Sequence, residues 1–304
     1  MNNKYLFIIV IILVVIASVS SSKKRTTSFN NEEEKVEEKI IVKIKNKDNT
    51  VNNIELEQYV IGVVAGEMPA SFNDEALKAQ AIASRTYAVY KMNTSKGNYD
   101  LVTDVSNQVY ISKKEMQEKW GSDYNKYLEK VTNVVNDTKD LVMTYNGEVI
   151  ESFYFAISNG KTENITSVFN EERDYLKSVE SSDTNVNNFM KTITITRNEF
   201  CNKLNINCDD IVIKDIKYNE TGRIDELNIN NKVFKGTEIR RLLSLRSTDF
   251  KINVSDNISI TTKGYGHGVG MSQYGANEMA KNGSSYEEIL KHYYQNIDIV
   301  KNNV

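Results

Sequence analysis

The chain of 304 residues carries 38 lysines and arginines against 41 aspartates and glutamates, a formal charge of −3, and 40% of it is hydrophobic. That length supports one large domain or two modest ones, and the slight acidic excess leaves no electrostatic footprint for nucleic acid, which excludes it as a partner. Cys201, Cys208, His267 and His292 are the only cysteines and histidines, too scattered for the four closely spaced ligands of a structural zinc site, so no metal and no cofactor is expected.

Residues 1–4 are read as a cytoplasmic N-terminus and residues 5–22 as a signal anchor. Tyr5 to Val19 is apolar, and Ser20 to Ser22 extend the run towards the roughly 20 residues of a spanning helix. Ala17-Ser18-Val19-Ser20 offers small residues without a clean A-x-A pattern, which favours an uncleaved membrane anchor over a cleaved signal peptide. Lys23, Lys24 and Arg25 follow the run, against the positive-inside rule. Both options place the remainder outside the cytoplasm. Residues 23–39, with Glu32, Glu33, Glu34, Glu37 and Glu38 crowded together, read as a flexible acidic linker. Residues 40–304 are expected to form an α+β extracytoplasmic domain, its helical and strand-rich parts meeting at a cleft.

Ile40 to Asn46 alternates enough for a strand, and Lys47 to Asn53 reads as a polar turn. Leu56, Tyr59, Val60, Val63 and Val64 then fall at i, i+3, i+4, i+7 and i+8, the stripe of a buried helix, and the next position on that stripe is Glu67. Pro69, the single proline, disfavours helical geometry at Met68 and so predicts a helix end beside the glutamate. A carboxyl group half covered by apolar neighbours has a raised pKa and keeps its proton nearer neutral pH, as a general acid must. Asn73 is a plausible N-cap for a second, alanine-rich helix over Ala76 to Tyr90. Arg85 lies inside that run and needs a partner, because an unpaired buried charge is expensive.

Lys113 to Thr138 reads as one helix with Trp120 and its tyrosines in the core, and Leu141 to Phe155 as two strands around Asn146-Gly147, a strong hairpin signal. Ser158, Asn159, Gly160, Lys161 and Thr162 follow a strand end with small side chains and donors suited to sugar hydroxyls, although an unrelated turn looks similar. Asp183 to Asp256 reads as a mixed unit without chemical signature: strands at Lys191 to Thr196, Ile211 to Tyr218 and Glu226 to Ile229, helices at Arg197 to Leu204 and Glu238 to Leu245. Within it a Cys201–Cys208 disulfide and two free thiols are both open. Gly264 to Ala276 is a glycine-rich loop in which His267, Gly268, Gly270, Ser272 and Gln273 offer an accessible imidazole and hydrogen-bonding groups; the spacing fits no phosphate loop. Helices over Met271 to Lys281 and Tyr286 to Tyr294 close the chain.

GVVAGEMPASFNDEALKAQAIASRTYAVY, SNGKTE at Ser158 to Glu163 and GYGHGVGMSQYGA at Gly264 to Ala276 resemble the signature of the stage II sporulation protein D family, membrane-anchored peptidoglycan lytic transglycosylases of engulfment. The resemblance spans roughly residues 42 to 300. It implies that Glu67 is the catalytic acid, that Arg85 is its active-site partner, and that the Ser158 and His267 segments line the cleft. It also implies peptidoglycan glycan strands as substrate, stage II sporulation proteins P (an amidase) and M as partners, and the engulfing membrane of the mother cell as location. Many members hold zinc through a segment like DLCDTTHCQVY; this chain keeps QVY but has Val102, Ser106 and Asn107 at the ligand positions, so the resemblance carries over without its metal. Relatives in amidase-enhancer proteins supply the alternative of a non-catalytic, glycan-binding stimulator of a cell-wall amidase, and a tether between membrane and wall is a third reading.

Overall fold

The computed structural model describes residues 39–169 and 171–302. The expected anchor at 5–22 and the linker up to Glu38 lie outside the described residues, and among those described no helix is long and apolar enough to cross a membrane. What is described is a mixed α+β architecture.

The chain opens on a hairpin of β1 (Ile41–Lys45) and β2 (Val51–Glu55), with Ile41 opposite Glu55 and Lys45 opposite Val51. β2 begins inside the stretch read as a turn, at Val51. Its polar, largely exposed residues carry no periodic signal, and pairing with β1 alone makes it a strand. Helix α1 (Leu56–Glu67) follows directly and ends as expected, Met68 being extended at φ −111° and ψ 148°. Helix α2 (Asp74–Thr94) is capped by Asn73, whose side chain accepts from the Glu75 amide, and the short strand β3 (Leu101–Val102) beyond it pairs in parallel with β1. The expected helix over 113–138 is two helices, α3 (Lys113–Trp120) and α4 (Tyr124–Asp137). Gly121, at φ 51°, ends the first in a region that β-carbon-bearing residues rarely adopt. The Asn146-Gly147 turn joins β4 (Leu141–Tyr145) to β5 (Glu148–Val149), with Tyr145 opposite Glu148. The next strand, β6 (Tyr154–Phe155), instead pairs in parallel with residues 271–272.

Two hydrophobic cores result. The first packs α1, α2 and the C-terminal helices (Gln273–Lys281 and Tyr286–Tyr293) around Tyr59, Leu77, Ile82, Met143 and Tyr294. The second lies within residues 190–263, where strands Met190–Thr196, Phe250–Val254 and Asn257–Lys263 form one antiparallel sheet and Ile213–Tyr218, Ile224–Ile229 and Lys232–Lys235 another, with Phe200, Phe234 and Ile260 buried between their helices. Three of these strands were not expected from the sequence: 232–235 and 250–254 lie inside the mixed unit, and 257–263 lies just beyond it. The alternation of Thr192, Thr194 and Thr196 with Ile193 and Ile195 does mark a half-buried strand: both isoleucines pack on the second core, and Thr192 hydrogen bonds Thr261 at 2.8 Å on the opposite face. A disulfide joins Cys201 to Cys208.

Candidate active site

Glu67 stands in the last turn of α1, and its surroundings begin with two glycines. A β-carbon at Gly66 would lie 2.3 Å from the Val109 carbonyl oxygen, so a bare backbone there lets the 108–111 segment approach the helix end. The Val109 amide consequently donates to Glu67 Oε1 at 2.7 Å. Gly66→Ala is therefore expected to push that segment away and remove the bond. The carboxyl pKa should rise further, because the Val109 amide favours its ionised form. Carbon-13 NMR titration of labelled glutamate, followed by a thermal melt, checks both effects; an unchanged titration would refute the contact's role.

The opposite oxygen, Glu67 Oε2, receives Gln273 Nε2 at 3.4 Å, and Gln273 also reaches Gln80 Oε1 at 3.4 Å. Behind the acid, Gln108 joins the hydroxyls of Tyr59 and Tyr154, each at 3.0 Å. Lys119 donates its ammonium to the carbonyls of Ala65 at 2.7 Å and Gly66 at 3.3 Å, closing orphan carbonyls at the end of α1. Burial is the largest influence on Glu67 and raises its pKa above the ordinary glutamate value; Val109, Gln273, Lys119 and Tyr154 oppose it in part. Sequence reading missed Lys119, Gln108 and Tyr154, which carry no local anomaly. Gly62 and Gly66, inside an apolar helix, were the one available signal of a close approach, since glycine costs a helix about 1 kcal/mol against alanine.

A cavity of about 530 Å³ opens on Glu67. It is walled by Lys119, Gln273 and Tyr274 on the side of the first core and by Lys191, Arg246 and Tyr265 on the other. Among the described residues lining it, Glu67 is the one carboxylate.

Of the other expected site residues, Gln273 is brought to Glu67 and lines the cavity, and the rest lie elsewhere. Arg85 does not reach Glu67: it is fully buried in α2, its Nε and Nη2 grip Glu57 at 2.8 and 2.6 Å, and its guanidinium also donates to the carbonyls of Leu141 and Val135. This bidentate pair ties α1 and α2 to the α4 end and β4, so Arg85 is a framework residue. Arg85→Lys, which cannot reproduce the fork, is expected to lower the unfolding midpoint while leaving the pH profile of any activity unmoved. A shifted profile would return Arg85 to the site.

Ser158 and Ser272 are consumed by the buried Asp183, which the sequence marked only as the start of the mixed unit. Asp183 accepts from the Ser158 amide at 2.7 Å, from the Ser158 and Ser181 hydroxyls, and from the Ser272 hydroxyl at 2.6 Å. Asn159 Nδ2 binds Thr221 O and Asp249; the Gly160 amide donates to Ser158 Oγ; Thr162 exchanges bonds with Val179. Lys161 pairs with Glu180 at the surface while its carbonyl accepts from Arg223. These groups join two loops to each other instead of lining the cavity.

His267 packs among Phe153, Phe155 and Phe169, with ring centroids 5.6–5.9 Å away, and its Nδ1 accepts from the Val269 amide. Burial, then the charge of Arg240, pushes its pKa down to about 4, so the ring is neutral. The glycines expected to expose it serve close packing: at Gly270, φ 78°, a β-carbon would lie 1.9 Å from Phe153 O, and Gly268 accepts the Glu163 amide at 2.7 Å. At the position of the family's second cysteine, Asn107 accepts from the Val102 amide at 2.8 Å and donates to Tyr87, bracing the loop with hydrogen bonds.

A family model described as stage II sporulation protein matches residues 45–145. The chain is 44% identical over 264 residues to stage II sporulation protein D of Bacillus amyloliquefaciens, covering 84% of this chain and 77% of that protein. The same identity holds over 266 residues with stage II sporulation protein D of Bacillus subtilis, with the same coverage. A Bacillus subtilis protein named amidase enhancer is 30% identical over 296 residues, covering 77% of this chain and 39% of that protein. An α+β protein with, among the described residues, one carboxyl group in a cleft between two cores is the class that fold and site define. The chain belongs to the stage II sporulation protein D family.

Proposed function

We propose that this protein is a lytic transglycosylase that cleaves the bond between N-acetylmuramic acid and N-acetylglucosamine in peptidoglycan. The lone carboxyl group of the cavity carries the reading. Ordinary glycosidases place two carboxylates about the scissile bond; here the described lining supplies Glu67 alone. One is sufficient when the substrate brings its own nucleophile. Glu67, whose pKa burial raises, gives its proton to the leaving glycosidic oxygen as the bond to the anomeric carbon breaks. The carboxylate then takes the proton of the muramic acid C6 hydroxyl as that oxygen bonds the same anomeric carbon, which restores the acid and leaves a 1,6-anhydro end. No water is consumed. Gln273 and the Val109 amide hold the carboxyl group during both transfers.

The family supports the biological side of the proposal: an enzyme anchored by residues 5–22, acting outside the cytoplasm on the engulfing membrane beside an amidase, stage II sporulation protein P, and protein M. The relative named amidase enhancer favours a second reading, a glycan-binding protein that stimulates an amidase without cutting. Mass spectrometry of peptide-free glycan strands after incubation decides between them. Anhydro-muramic ends support the transglycosylase, reducing ends would indicate hydrolysis by an additional carboxylate, and intact strands with faster amidase turnover would support the enhancer.

A further inference from the structure

The cavity beside Glu67 has the opposite charge character to the chain as a whole. The protein carries more acidic than basic residues, yet Lys119, Lys191 and Arg246 all face the cavity, and its one carboxyl group is held towards its neutral form. A cleft lined by one sign of charge concentrates ligands of the other.

Arg246 stands out among these cations. The fully buried Arg85 and the nearly buried Arg223 each have a glutamate at 2.6–2.9 Å. Arg246 has no carboxylate partner among the described residues, although its Nε is shut off from solvent without a hydrogen bond. It is nonetheless held in place: its guanidinium lies 4.5 Å from the Tyr265 ring centroid, Nη1 donates to Asn188 O at 2.7 Å, and its own carbonyl accepts from the Gly266 amide at 2.9 Å. Tyr265 in turn exchanges backbone hydrogen bonds with Ile157, a residue of the same cavity wall. Nη2 has no partner among the described residues. A guanidinium fixed on an aromatic ring, with a donor left over, is preorganised for a planar anion and loses little side-chain freedom on binding one. Lys191, on the neighbouring strand Met190–Thr196, is exposed and without an ion pair among the described residues.

We propose that Arg246, seated on Tyr265 and assisted by Lys191, forms a carboxylate-binding subsite that places an acidic sugar of the glycan against Glu67. The inference rests on the proposed glycan substrate and deepens it: the residue recognised is a sugar bearing a free carboxylate. In peptidoglycan a carboxylate has two sources, the lactyl group of muramic acid once its peptide is removed and the stem peptide itself. The direct attachment of the lactyl group to the ring at the reacting centre favours the first.

The test is binding to the full chain in detergent, carrying Glu67→Gln so that nothing is cut. Isothermal titration would use three tetrasaccharides of alternating N-acetylglucosamine and N-acetylmuramic acid: lactyl carboxylates free, converted to methylamides, or linked to stem peptides. The free acid should bind about tenfold more tightly than the methylamide, the scale of one charge-assisted hydrogen bond. Adding Arg246→Gln should erase the difference, Arg246→Lys should restore part of it, and Lys191→Gln should reduce it without abolishing it. An Arg246-dependent preference for the peptide-bearing glycan would support the carboxylate subsite and assign it to the peptide. Equal binding of acid and methylamide, or a preference surviving in a folded Arg246→Gln variant, would overturn the proposal. Because no cleavage is read, a protein that fails to cut glycan would refute the transglycosylase and leave this result standing on its own.

Discussion

Replacing Glu67 by glutamine is expected to lower glycan cleavage by about 10²–10⁴-fold, the usual contribution of a positioned general acid, in a protein that remains folded. Glutamine keeps the shape and an oxygen for the Val109 amide but has no proton to deliver. The pH dependence follows from the same burial. Glu67 must be protonated to give its proton to the leaving oxygen, so kcat/KM should fall as pH rises through its raised pKa, and that limb should be absent from the residual activity of the variant.

Stability should respond with a definite sign. Because the folded-state pKa exceeds the unfolded one, the carboxyl group's stabilising contribution is complete below the unfolded value and is lost as pH rises through the folded value. Glu67→Gln should therefore raise the unfolding midpoint at about pH 8 relative to wild type, with little difference at about pH 4. A variant that cuts normally would remove Glu67 from the chemistry. One destabilised at pH 8 would show that the carboxylate is a structural anchor.

The second large effect is structural. Glu163→Ala is expected to cost about 3–5 kcal/mol, as breaking a buried pair from one side does, with a fall of about 2–4 °C in the thermal midpoint for each kcal/mol. Glu163 and Arg223 face each other at 2.9 Å with side chains 2% and 4% exposed. Asn219 and Thr221 also donate to the carboxylate. Burial raises the pKa of Glu163 and lowers that of Arg223, pairing opposing both shifts only in part. The pair therefore adds little over an apolar substitute, but its broken half is an uncompensated buried charge. Changing both residues, Glu163→Leu with Arg223→Met, should cost markedly less than Glu163→Ala in a two-state melt. Equal losses would place the energy in the surrounding contacts instead. The Glu163 amide also holds the glycine loop through Gly268 O, so this destabilisation should loosen the wall that carries Tyr265.

Chain-local physics was enough for the helices around the acid. The interrupted stripe ending in Glu67, the stop before Pro69, the Asn73 cap and the Asn146-Gly147 turn each depend on neighbours a few residues away, and each is found where the residues put it. The strands of the second core were partly invisible because Lys232–Lys235 and Phe250–Val254 take their conformation from cross-strand partners and not from a strong internal pattern. The break at Gly121 was visible as a glycine and lost in the longer periodicity around it.

The sequence by itself determined that a carboxyl group ends a buried helix and that an arginine is trapped in the next one. Which groups those two meet was decided only by tertiary structure. Arg85 found Glu57, 28 residues away, whereas Glu67 found Val109 and Gln273, 42 and 206 residues away. Asp183 drew the donors of Ser158 and Ser272, 25 and 89 residues off, into a buried link. Residue type sets what a polar group must do when water is removed, namely find a partner of opposite character. The partner itself is chosen by the packing of two cores against one cleft, and no spacing along the chain records that choice.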